Sequence, residues 1–92
     1  MMTAPKPETI DRAAIRRYTT VWSVPRPMRH HDVIAFMAEQ GVDALGDYST
    51  QVFTTSEGRF VGREEAMRIA RAAGQLIAEP HVPDMLFSED IY

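Results

Sequence analysis

Residues 51–75 read QVFTTSEGRFVGREEAMRIARAAGQ, and the change of period within them decides the fold class. Gln51–Thr55 and Arg59–Val61 are short runs of extended-chain residues on either side of Ser56-Glu57-Gly58. This is the pattern of a hairpin, in which Gly58 takes positive φ without penalty. From Arg63 the pattern becomes helical. Ala66, Ile69, Ala70 and Ala73 fall on one face, Glu64 and Arg68 form an i,i+4 pair, and Gly74 is the expected stop. The small residues Ala66, Ala70 and Ala73 would let another element approach closely.

Working outward, residues 1–12 contain Pro5 and Pro7 and little to bury, so they read as a flexible arm. Ala14–Val24 is rich in β-branched and aromatic residues and alternates as a strand, with Tyr18, Thr20, Trp22 and Val24 on one face. Pro25-Arg26-Pro27 breaks it. A first helix is expected over His31–Gln40, with Asp32 in its first turn, Gly41 as its stop, and Val33, Ile34, Met37 and Ala38 as its apolar stripe. VDALGDYST is a loop, EPHVPDM a proline-bound connection, and LFSEDIY either a short final strand or a docked tail. The expectation is one small α+β domain over 13–92, built from three or four short antiparallel strands and two helices. Which strands pair is not written in a single sequence.

Composition narrows the function. The 92 residues carry 10 basic and 13 acidic side chains, a net charge of −3, which argues against a general duplex-DNA binder or other nucleic-acid polymer as partner. Cysteine is absent, so neither a disulfide framework nor a thiolate zinc site is available. No apolar run approaches the roughly 20 residues of a membrane span, and the first residues lack the apolar centre of a signal peptide. A soluble cytoplasmic protein without a membrane partner is expected. Lys6 is the only lysine; Arg12, Arg16, Arg17, Arg26 and Arg29 crowd the first third, whereas from Leu76 onward there is no Arg or Lys but Glu79, Asp84, Glu89 and Asp90 appear. The acidic tail should therefore lie near the basic first third, in its own chain or a neighbour's. Arginine suits bidentate contact with phosphate or carboxylate, although a genomic preference for arginine codons gives the same bias.

Four places could carry chemistry. Arg29-His30-His31 opens the first helix, where unpaired amides attract anions; the structural alternative pairs Arg29 with the tail and leaves the histidines to pack or face solvent. Adjacent histidines diverge by about 100° on a helix, unlike the i,i+3 or i,i+4 pairs that bind metals, so no metal site is expected. Arg63 stands at the start of the second helix directly after Gly62, although Glu64 and Glu65 already suit that end. Phe53, Tyr18, Trp22 and Phe60 could stack on a nucleobase or simply fill a core. Ser88-Glu89-Asp90 offers acceptors for ribose hydroxyls or is a solvated end. No Gly-rich phosphate loop, G-x-S-x-G elbow or H-E-x-x-H motif is present, so neither a cofactor nor catalysis is expected.

Several blocks together are familiar. RYTTVW…RPMRHHDVI, QVFTTSEGRFVGREEAMRIARAAGQ and the closing LFSEDIY resemble the Thoeris anti-defence family of small phage signal sponges, over most of the chain from Arg17 to Tyr92. The resemblance implies a homo-oligomeric binding protein, with pockets between two chains, that sequesters cyclic ADP-ribose isomers without altering them; some members also bind cyclic oligonucleotides. It implies ligand contacts from Arg29 and the neighbouring His30, a stacking face from Phe53, a second contact segment at Gly62 and Arg63, Asp90 reaching in from the tail, and a weaker contribution from Arg17. Val52, Gly62 and Tyr92 depart from the glycine, polar residue and tryptophan usual at those positions. Two other readings stand beside this one: an enzyme that degrades nucleotide signals using His30 or His31, and a non-catalytic protein-interaction module docking through the alanine-faced helix.

Overall fold

The computed structural model describes residues 7–44 and 49–92. The expectation for residues 1–6 of the arm, and for 45–48 of the VDALGDYST loop, lies outside the described residues. Strands β1 (Ile10–Arg17), β2 (Thr20–Ser23), β3 (Ser49–Thr55) and β4 (Phe60–Val61) form one antiparallel sheet in the order β2-β1-β3-β4. Helices α1 (His30–Glu39) and α2 (Arg63–Ala72) complete an α+β domain.

Two expectations need correction at the N-terminal side. The run Ala14–Val24 is a hairpin rather than one strand: Arg17 pairs with Thr20, and the chain reverses through Tyr18 and Thr19, with Tyr18 at φ 56°. Composition hid the turn because one residue in the left-handed region suffices to make it, and tyrosine is not a residue that advertises one. The first strand also begins at Ile10, inside the stretch read as an arm, because the Ile10 side chain is buried in the core.

Both helices lie on one face of the sheet. Cross-strand partners share a face, and Ala13, Phe53 and Val61 are partners in register, as are Ile15 and Trp22. Against this face α1 packs Val33 and Met37 with Ile15, Val24 and Ala44, while α2 packs Ala66, Met67 and Ala70 with Ile10, Phe53, Val61, Leu86 and Ile91. Ala38, expected in the stripe of α1, is exposed, and Met67, not anticipated, is buried. Both helices stop as expected, in the same way. Gly41 (φ 77°) and Gly74 (φ 67°) turn the chain, and the amides of Val42 and Gln75 return to the carbonyls of Met37 and Ala70, each at 2.9 Å, which closes a Schellman motif.

The segment LFSEDIY is a docked tail, with a single 3-10 turn at Ser88–Asp90. Leu86 and Ile91 enter the core beside α2. The tail and the residues leading to it also satisfy the part of β1 that β2 does not reach. Gln75 accepts the Ile10 amide hydrogen at 2.7 Å and donates to the Ile10 carbonyl at 2.9 Å, and the Tyr92 hydroxyl accepts from the Ala13 amide at 3.1 Å. Unpaired strand groups buried at such an edge would be costly.

Candidate functional site

The start of α2 is the place to build from. β4 ends at Val61, opposite Phe53, so among the described residues no strand pairs with Gln51 and Thr50 on that side of β3. The chain leaves the sheet there through Gly62, which is extended (φ −76°, ψ 179°) and makes no side-chain cap. A Cβ on Gly62 would meet nothing within 4 Å. The result is an open groove of about 640 Å³, lined by Thr50, Gln51 and Gly62 and by Arg63, Glu64, Glu65, Arg68 and Met85.

Arg63 is half-buried at the inner wall. Its guanidinium donates to the Leu86 carbonyl at 2.6 Å and to the Gln51 side-chain oxygen, and lies over the Phe87 ring at 4.2 Å. Burial pulls its pKa down and the charges of Glu89 and Asp90 push it back up; an arginine in this setting stays cationic. Arg68 stands on the exposed side of α2, and among the described residues it has no ion-pair partner. Glu65 also lines the groove, and Arg59 at 2.9 Å offsets its charge. The groove therefore sets two guanidinium groups and the amides of a helix start, which attract anions, beside the carboxylate of Glu64 and the Arg59-paired carboxylate of Glu65.

The residues expected to meet at one ligand are spread over the molecule. Gly62 and Arg63 reach the groove. Arg29 does not: its Nε donates to the Tyr92 main-chain oxygen at 3.1 Å, its Nη2 donates to the same atom, and Arg26 covers the Tyr92 ring at 4.8 Å. The tail does lie against the basic first third, but a main-chain oxygen and an aromatic ring make the contact instead of its carboxylates. His30 is a core residue: its ring Nε2 donates to the Val52 carbonyl at 2.8 Å and its edge meets the Phe53 ring at 4.8 Å. Phe53 is fully buried and has no free face for an adenine. The Asp90 carboxylate is buried and accepts from the Phe87 amide at 2.8 Å, capping the tail's own turn. Arg17 lies at the far side of the sheet, beside Tyr18, Thr20, Trp22 and Val42.

Thr50, Gln51, Arg68 and Met85 are groove residues that sequence reasoning did not select. Arg68 had been absorbed into a helical pair with Glu64, and Gln51 into the hairpin. Only the early end of β4 exposes them together. Among the described residues, no three His, Asp or Glu side chains gather as a metal site would require, and no helix is long and apolar enough to cross a membrane.

Comparison with curated proteins and with solved structures gave no match. The profile of the family described as Phage T4 y16D protein matches residues 9–92, which takes in every strand and both helices. The association with phage implied by the resemblance is therefore upheld at the level of the family, and the chain belongs to the Phage T4 y16D protein family.

Proposed function

We propose that this phage-family protein is a non-catalytic sponge that binds a cyclic, phosphate-bearing nucleotide signal, such as a cyclic ADP-ribose isomer or a cyclic oligonucleotide, in the groove at the start of α2. One observation carries the reading: Arg63 and Arg68, the latter without an ion-pair partner among the described residues, lie in one groove with Gly62, whose missing side chain lets a phosphate approach the helix amides. Glu64 supplies an acceptor for ribose hydroxyls and Met85 an apolar wall. Catalysis has less support. Arginine does not exchange protons near neutral pH, and the His30 ring is buried and committed to Val52. The groove is open, so a second copy laid over it would supply the enclosure that small-molecule sites usually have. The reading places the protein in the cytoplasm of an infected cell.

Calorimetric titration with a panel of cyclic ADP-ribose isomers and cyclic dinucleotides, followed by chromatography of the released ligand, tests this. One panel member should bind and be recovered intact. Arg68→Ala should weaken it about tenfold or more, the effect of losing a charge-assisted hydrogen bond, without altering the fold. Recovery of cleaved ligand would favour an enzyme. A folded protein that binds no member of the panel would leave the protein-interaction reading standing.

A further inference from the structure

The helices cover one face of the sheet and, among the described residues, neither helix packs on the other. Cross-strand register places Arg12, Thr54 and Phe60 in one row of that second face, and Arg16 beside Thr50 and Val21 in another. Between the rows lie Ala14 and Val52, small and buried, so the middle of the face is low. Phe60 is 55% exposed and belongs to neither core cluster. Arg16 is exposed and has no ion-pair partner among the described residues, while Arg12 has Asp11 at 3.5 Å. The Thr54 hydroxyl, between Arg12 and Phe60, is buried without a hydrogen-bond partner. Of the nearby acids, Glu8 and Glu65 both hold Arg59, and Glu57 in the β3–β4 turn is exposed. The chain's net charge of −3 thus does not describe this face, where arginine predominates.

We propose that this face binds single-stranded nucleic acid, with a base stacked on Phe60 and two phosphates of one strand, separated by an intervening one, on Arg12 and Arg16. An exposed aromatic on a sheet offers a base a flat apolar platform, and guanidinium groups along a strand track a phosphate backbone. Arg12 and Arg16 are four residues apart on β1, roughly 13 Å at strand rise, farther than one phosphate can bridge. A linked strand meets that spacing; a free mononucleotide does not. The surface is separate from the groove at α2, and the proposal does not depend on a ligand there.

Fluorescence anisotropy with labelled oligo-uridine and oligo-thymidine, at low and moderate salt, tests it. Binding should be measurable at low salt for at least one strand. Phe60→Ala should weaken it roughly tenfold, the scale of one lost stacking contact, and Phe60→Tyr should retain it. Arg16→Ala should weaken it and lower the salt slope by about 0.7, as expected for one lost phosphate contact on a single strand. Circular dichroism checks that each variant is folded. Absence of binding at low salt, or binding that survives Phe60→Ala and Arg16→Ala unchanged, overturns the proposal.

Discussion

His30 and His31 are neighbours in sequence with opposite fates. His31 faces solvent near Asp32, whereas His30 is buried against Phe53 and Val52. Burial pushes the His30 pKa below its ordinary value of 6.5, because a charged ring would lose its water. Below that ordinary value the unfolded chain takes up a proton that the folded chain refuses, so stability is complete above it and falls as pH drops towards the folded-state pKa. Urea unfolding measured through this range should show that slope in the parent protein and should lose it in His30→Gln. Glu8 gives a second window at lower pH. Arg59 holds its carboxyl at about 2 against an ordinary 4.5, so its contribution is present above 4.5 and is lost as pH falls towards 2. Glu8→Gln should flatten the acid limb of the same measurement.

At the scale of elements, backbone geometry separates the glycines. Gly74 sits at φ 67°, in the left-handed region, and closes α2. Gly74→Ala should cost about 1–2 kcal/mol, the penalty of a Cβ there. Gly62 lies in ordinary extended geometry with open space where a Cβ would go. Gly62→Ala should change stability by less than about 0.5 kcal/mol while narrowing the groove. Equilibrium unfolding of the two variants side by side checks the contrast.

For the molecule as a whole, the tail is structural. Leu86 and Ile91 fill the core of α2, Arg63 and Arg29 hold the main-chain oxygens of Leu86 and Tyr92, and the Ile77 amide donates to the Asp90 carbonyl at 3.0 Å. Leu86→Ala should cost about 2–5 kcal/mol, the range for a buried leucine. Arg29→Ala should leave the sheet protected but speed hydrogen exchange across residues 88–92, read by mass spectrometry. Unchanged exchange there would mean that the Arg29 contact does not hold the tail.

The α+β class, both helices, their glycine stops and the second hairpin could be read from sequence because each rests on local physics: a period, a cap or a turn residue. The order of the strands, the reversal at Tyr18 and the docking of the tail rest on long-range burial, which no local pattern carries. The site divides in the same way. Sequence identified Gly62 and Arg63 at a helix start, where unpaired amides are a local property. It could not say that Phe53, His30, Arg29 and Asp90 are held by the core and the tail, or that the early end of β4 opens a groove beside Arg68. Those outcomes depend on which surfaces meet when the chain closes, and only the tertiary structure decides them.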